Sequence, residues 1–485
     1  MEFLNSAVLF ILIVLVFIAL WHGPRAVDGA RPLISSYNIF LILFFIYVVF
    51  SASLSIIFND SQYTWAKSVA DPSYIFATLV VCLYAFVIFI FGYRYGYDDN
   101  ARAGSLPRSV IGPYAVSHHS RNLAFGLVLL GVLLKIYVTI EAGGVSESLM
   151  RMSGGIRQSL RIEALNPLIV NIRTLSGIAD AGAVWILLYA MRRKSGYIMA
   201  GAIFSCVMLL TYFTIGKRLV LAWPFISVAL GYHFYVRRIT MRAAPWVIGG
   251  ILIVGLISLF YRIFLPAIAA NVVIDLRGVS WANGSLLSFY FYSLEFSTFE
   301  MITLSIFEGE NIASLFGGAF DTFVTTNIVP FFYAVPRVLW SEKPQVFFDI
   351  SHAVTATITG VPVESITAGV ATTLIGTSWI IGSLPGLTIA MFLYGWLCNW
   401  IDKPLRLAAT FNLRSIIIFS FLLNAVVHLF RQGTLGWIFI ITVVQQYGMI
   451  LGYVLIFSVA GVTLTGQRSW KYRRARTSMF LNRTR

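Results

Sequence analysis

Two arginines four residues apart, Arg157 and Arg161, are the first residues in this 485-residue chain whose spacing suggests chemistry. On a helix both guanidinium groups would share one face. Two convergent guanidinium groups suit a pyrophosphate, because each can donate two parallel hydrogen bonds to phosphate oxygens. The segment around them, GGIRQSLRIEALNP, bounds a short helix with a glycine pair and Pro167; the competing reading is a solvated face partly neutralised by Glu147 and Glu163. A second cationic pair, Lys217 and Arg218, lies in a turn too short to form a solvated loop, where it meets an anion or anchors to lipid headgroups. Gly216 before it does not make a nucleotide-binding loop, since the earlier spaced glycine is missing. Asp349, His352 and Glu364 offer proton acceptors. Neither they nor His428 have metal-ligand spacing to one another, so no metal or other cofactor is expected.

The elements that must position these groups follow from composition. Hydrophobic residues make up 58% of the chain and charged residues only 11%, against roughly 25% charged in soluble domains. Apolar runs near 4–20, 38–58, 74–92, 123–140, 174–191, 197–215, 219–236, 245–265, 385–401, 415–430 and 438–460 are each long enough to cross a hydrocarbon core of about 30 Å as a helix. The expectation is an all-α polytopic membrane protein of about eleven spans, a single transmembrane domain over 1–485. The first run lacks a basic segment before it, has Glu2 instead, and is followed by another span, so it reads as a span and not a signal peptide. Cys82, Cys206 and Cys398 all fall in spans as small apolar residues, and no disulfide is expected.

Charge then orients the chain. The connections 21–37, 93–121, 192–196, 237–244, 402–414 and 466–485 hold 22 of the 35 Lys and Arg but only 4 of the 20 acids. Positive-inside asymmetry makes that set cytoplasmic, including the basic tail 466–485 on the anionic inner leaflet. The formal charge of +15 is thereby explained by topology, and nucleic-acid binding is excluded. Eleven cations remain on the outer side: Arg151, Arg157, Arg161, Arg173, Lys217, Arg218, Lys67, Arg277, Arg337, Lys343 and Arg431. Lys135 and Asp180 lie inside spans and Arg262 near the end of one; Lys135 and Arg262 are expected to snorkel to an interface, while Asp180 faces other helices or serves as the proton site of a transporter.

The longest outer connection, 266–370, is not a polar loop. Its apolar stretches 286–307 and 315–333 read as interfacial or re-entrant helices, and 368–381 raises the same question. If one crosses fully another must return, which gives thirteen spans. Glu295 and Glu300 among the aromatics of the first stretch suit a water-filled cavity better than lipid.

Within that loop the sequence PFFYAVPRVLWSEKP resembles the Pro-Arg-x-Leu-Trp-Pro-x-Lys-Pro signature of Wzy-type oligosaccharide repeat-unit (O-antigen) polymerases. Pro336, Arg337, Leu339, Trp340, Lys343 and Pro344 agree, and Ser341 replaces the usual proline. Downstream, TLIGTSWIIGSLPG and the apolar span with LYG also look like that family. About sixty residues carry specific motif content, and the family's Arg-x10-Gly spacing is absent from the outer loops. The resemblance implies a C-type, metal-free glycosyltransferase in the bacterial cytoplasmic (inner) membrane, working on its outer face. It implies undecaprenyl-pyrophosphate-linked oligosaccharide as substrate, with membrane lipids, a flippase and a chain-length regulator as partners. A departing pyrophosphate needs cationic or N–H donors, for which Arg337, Arg157, Arg161, Lys217, Arg218, Arg277 and Lys343 are the candidates. The attacking hydroxyl needs a general base, for which Glu364, His352 and Asp349 are ranked in that order. Trp340 and Tyr333, beside Phe331 and Phe332, offer surfaces for sugar rings or else form an interfacial belt. Arg337 either meets the pyrophosphate or pins the loop to a carboxylate such as Glu342.

Three other readings compete. An O-antigen ligase uses the same donor with a different acceptor, and a polyprenyl-phosphate sugar transferase would show paired acids, whereas Asp60 and Asp71 are eleven apart. A transporter or flippase would spread charge through span interiors and show pseudo-symmetric halves. No internal repeat is visible, and the charge is concentrated in outer loops.

Overall fold

The computed structural model describes residues 1–23, 34–57, 71–96, 118–141, 144, 167–215, 221–240, 243, 249, 298–332, 349–363, 366, 371–407 and 412–459. Among these the regular structure is helical, with no strand. In chain order α1 is Glu2–Trp21, and α2 (Ser36–Phe44) continues through a π-helical turn, Phe45–Phe50, into α3 (Ser51–Ile57). Then come α4 (Pro72–Tyr95), α5 (His118–Glu141), α6 (Pro167–Leu175), α7 (Ile178–Arg193), α8 (Tyr197–Ile215) and α9 (Ala222–Tyr235). Short helices α10 (Thr298–Phe307), α11 (Gly309–Ser314), α12 (Ala319–Phe323), α13 (Val329–Phe332) and α14 (Ile350–Thr359) precede α15 (Thr373–Leu407) and α16 (Leu413–Gln432). The last stretch is α17 (Leu435–Ile438), a π-helical turn at Phe439–Val444, and α18 (Tyr447–Val459).

Seven described helices are long and apolar enough to cross a membrane: α1, the α2–α3 unit, α4, α5, the stretch Asn171–Arg193 containing α7, α15 and α16. The polytopic all-helical class stands on these. The expected spans at 197–215 and 438–460 fall on α8 and on α17–α18, which are shorter apolar helices, while 245–265 lies outside the described residues.

Without a hydrophobic drive between helices in lipid, close backbone approach and internal hydrogen bonds must hold the bundle. Both are present. Helices α4 and α15 run side by side with Gly92 against Phe392 and Gly395 against Phe89; a Cβ at either glycine would overlap the facing carbonyl oxygen. Helix α7 is the hub, buried without a break from Ile178 to Ala190. It meets α5 where Gly182 faces Ala124, whose carbonyl oxygen would lie 2.6 Å from a Cβ there. At the opposite end of the bundle from the α4 start, buried Asp402 of α15 accepts the N–H groups of Ser36 (2.7 Å) and Tyr37 (3.0 Å) and the Tyr93 hydroxyl (3.1 Å). That carboxylate satisfies donors the first turn of α2 would otherwise leave unpaired. Asp71 caps α4, and its hydrogen bonds from Ser73 hold its carboxyl below the usual range.

The described part of the 266–370 connection is built of short helices, as expected of interfacial or re-entrant segments. They enclose a second, small core of Met301, Leu304, Ile312, Ala313, Ile350, Ala353, Val354 and Ile380. Helix α15 is broken at Gly382 and Ser383, whose backbones are non-helical, with Ser383 at φ 48°. The bend brings Gly386 to Ser378, whose carbonyl oxygen would lie 2.7 Å from a Cβ at Gly386. An unbroken helix would separate these levels by about 12 Å. The 368–381 stretch is therefore, in its described part, a short helix packed on α10, and the span proper begins after Ser383. Glu300 is buried inside the protein, 1% exposed.

Candidate functional site

The N-terminus of α14 brings together two of the three proton acceptors. Asp349 is its N-cap in extended conformation. One carboxylate oxygen, Oδ1, accepts from the backbone N–H of His352 (3.1 Å) and the Ser351 hydroxyl (2.5 Å), and lies 2.6 Å from His352 Nδ1. The i, i+3 spacing across a helix start makes this possible, since a cap residue and the N3 side chain face each other there. Both side chains are buried, 2% and 8% exposed. The apolar side of α14, Ile350, Ala353 and Val354, locks the turn onto α10 and α11.

With Nδ1–H donating to the carboxylate, Nε2 carries the lone pair. A carboxylate that fixes the tautomer and stabilises the imidazolium makes the ring a general base, the arrangement used in Ser-His-Asp sites. In that arrangement Asp349 holds the ring and Nε2 is the atom open to a proton. The sequence ranked Glu364 first on its position after the motif, and it lies outside the described residues, as do Arg157, Arg161, Lys217, Arg218, Arg277, Tyr333, Arg337, Trp340 and Lys343.

The frame around those residues is described. Segment 333–348, carrying Arg337, Trp340 and Lys343, is bracketed by α13 and by the Asp349 cap. Helix α13 packs on α17, where Gly436 sits against Pro330 and the Leu435 N–H donates to Asn327 Oδ1 at 2.9 Å. Arg337 is thus twelve residues from Asp349 and fifteen from His352 along the chain. The other cationic clusters are bracketed in the chain by α5 and α6 (Arg157, Arg161) and by α8 and α9 (Lys217, Arg218). Lys135 of α5 and Asp180 of α7 form a buried ion pair, Nζ to Oδ1 3.4 Å, with 0% and 3% of the side chains exposed. Thr211 of α8 donates to Asp180 Oδ1 at 2.6 Å, and Lys135 reaches Ser176 at 3.5 Å. These bonds hold the end of α5, the start of α7 and the end of α8 at one level. Arg157 and Arg161 follow α5 in the chain and Lys217 and Arg218 follow α8.

The expectation that Lys135 snorkels is overturned. Its ammonium group is fully enclosed because Asp180 meets it from the next described span; Asp180 does face other helices, as expected. Read from the sequence the two charges stand apart, although two opposite charges inside successive spans are the signal that pairs them.

A scan of family models gives no match to this chain, and neither the curated proteins nor the solved structures contain one.

Proposed function

We propose that the chain joins lipid-linked oligosaccharide repeat units on the outer leaflet of the bacterial cytoplasmic membrane, as the resemblance to Wzy-type polymerases implies. The observation that carries the reading is the Asp349–His352 pair, a carboxylate-oriented imidazole next to the segment holding Pro336 and Arg337. His352 Nε2 takes the proton from a sugar hydroxyl of the incoming unit. That oxygen bonds to the anomeric carbon of the growing chain as the bond from that carbon to the undecaprenyl pyrophosphate breaks. The electron pair leaves with the pyrophosphate, whose charge is met by Arg337 and by the outer cations Arg157, Arg161, Lys217, Arg218, Arg277 and Lys343. Asp349 stabilises the imidazolium until the proton is released. Trp340 and Tyr333 supply faces for the sugar rings.

The test is Asp349→Asn against Asp349→Ala in purified protein given a lipid-linked repeat unit. Asparagine caps a helix about as well as aspartate, so Asp349→Asn should fold normally yet lose about 100- to 10,000-fold in chain growth, the range for a general base. Full chain growth by Asp349→Asn would reduce the pair to a helix cap. A transporter is the second reading, favoured by the Lys135–Asp180 pair inside the spans.

A further inference from the structure

Three arginines gather where α5 begins and α7 ends, and none of them pairs with a carboxylate among the described residues. The guanidinium carbon of Arg193 lies 5.2 Å from the centre of the Tyr189 ring, and that of Arg121 lies 5.9 Å from the same centre. Laid end to end, those distances put the two cations no more than about 11 Å apart. Arg192 is the residue beside Arg193. The packing of the two helices explains the gathering. Small residues meet along their contact, Gly182 against Ala124 and Gly131 against Ala179. From Ala124, Arg121 is one turn toward the start of α5; from Gly182, Tyr189 is two turns toward the end of α7, its antiparallel partner. Arg193 follows Tyr189 by four residues, on the same side of α7.

Like charges this close repel, and the protein does little to offset them. Arg193 is exposed and Arg121 and Arg192 are half-buried, so the cluster is open to a ligand at the surface. Yet Arg121 Nε and Arg192 Nη1 are shielded from solvent with no hydrogen-bond partner among the described residues, and Arg121 otherwise reaches only Asn122, at 3.4 Å. The buried Tyr189 hydroxyl has no partner there either. The carbonyls at the end of α7 are already engaged: Lys194 takes a left-handed conformation, φ 54°, and the N–H groups of Lys194 and Ser195 donate to Met191 and Ala190. Each guanidinium group carries five N–H donors and no acceptor. What completes the cluster is an anion with several acceptor oxygens, and phosphate matches the planar fork of arginine.

We infer that Arg121, Arg192 and Arg193, gathered on Tyr189, bind the phosphate of an anionic phospholipid in the leaflet at this end of the bundle. The surroundings of the cluster favour a headgroup over a soluble phosphate. Arg121 heads an exposed apolar side of α5 made by Phe125, Leu129 and Leu133. From Arg121 to Leu133 that side runs about 18 Å, close to one leaflet of a hydrocarbon core about 30 Å thick. A phosphate at the arginines therefore leaves its acyl chains beside an apolar helix face of matching length. Charge asymmetry assigns this end to the cytoplasmic leaflet, where anionic lipids meet basic clusters between helices. The site is independent of the reaction proposed above.

The experiment titrates the delipidated full chain, in micelles of an uncharged detergent, with phosphatidylglycerol, phosphatidylcholine or inorganic phosphate. Bound lipid is counted by native mass spectrometry, and the unfolding midpoint is followed on the same samples. The wild type should bind phosphatidylglycerol at a saturable site, more tightly than phosphatidylcholine, and unfold at a higher temperature when it is bound. Arg121→Gln with Arg193→Gln should weaken phosphatidylglycerol binding at least about tenfold, the loss for one hydrogen bond to a charged group. Arg121→Lys with Arg193→Lys keeps both charges and should recover only part of the affinity; it carries the test if the glutamine variant folds poorly. Lys403→Gln, which removes a cation of α15 outside the cluster, should leave binding unchanged. Equal affinity for the two lipids, or full affinity in the glutamine variant, would overturn the site. Full affinity in the lysine variant, or an equal loss in Lys403→Gln, would overturn it in favour of diffuse surface charge. Displacement of phosphatidylglycerol by inorganic phosphate at equal concentration would overturn the headgroup in favour of a soluble anion.

Discussion

Replacing Lys135 by methionine separates a structural pin from a transport device. The ammonium lies 3.4 Å from Asp180 with both side chains enclosed, where the attraction is about 5 kcal/mol at an effective dielectric constant near 20. Lys135→Met removes that attraction and leaves the carboxylate its hydrogen bond from Thr211, at 2.6 Å. Breaking a buried pair on one side typically costs about 3–5 kcal/mol. Removing both charges is different, because the desolvation penalty goes with them; Lys135→Met with Asp180→Leu should lie within about 1 kcal/mol of the wild type or be more stable. The assay is unfolding in mixed micelles, with chain growth measured on the same preparations. The single variant should be strongly destabilised and the double variant should fold and polymerise. A double variant that folds as well as the wild type yet makes no polymer would refute the reasoning, because the charges would then act in function and not in holding α5, α7 and α8 together. A single variant as stable as the wild type would refute the pair.

Three further outcomes follow from the same geometry. Gly395→Leu should destabilise the bundle by about 1–3 kcal/mol or more, since its side chain must enter the backbone of α4 at Phe89 and Tyr93; an unchanged unfolding midpoint would show that α4 and α15 are not in close contact. Arg157→Ala and Arg161→Ala should each reduce chain growth more than Arg151→Ala, with only partial recovery by lysine, which lacks the planar two-bond contact; full growth by the double alanine variant removes the pair from the site. A cysteine at position 341 should react with an impermeant reagent in intact cells stripped of their outer membrane, and one at position 474 only after the inner membrane is opened, with the reverse pattern inverting the topology.

The helical class was legible because apolar runs of span length cannot be hidden in a sequence, and positions such as 74–92 and 415–430 fall inside α4 and α16. Reading 368–381 apart from the span at 385–401 puts a boundary where the structure breaks at Gly382–Ser383; what periodicity could not supply was the sharp bend, which depends on how 373–381 packs against α10. Pairings across distant spans were equally invisible. Lys135 and Asp180 are 45 residues apart and Ser36 and Asp402 are 366 apart, so only the fold joins them. At the candidate site the three-residue spacing of Asp349 and His352 was open to inspection, yet it signals a dyad only when a helix begins at Ile350. Without that helix start the sequence offers them only as two separate candidates for the base.

The central claim, that His352 is the base of a sugar-transfer reaction at a lipid pyrophosphate, is tested most directly by single-turnover chain growth in proteoliposomes loaded with a purified lipid-linked repeat unit. The wild type should convert single units to dimers and release undecaprenyl pyrophosphate in equal amount. His352→Gln should bind the unit with unchanged affinity and form dimers at least about 100-fold more slowly. Dimer formation at the wild-type rate by His352→Gln, or wild-type protein that moves the unit across the bilayer without joining it, would contradict the account.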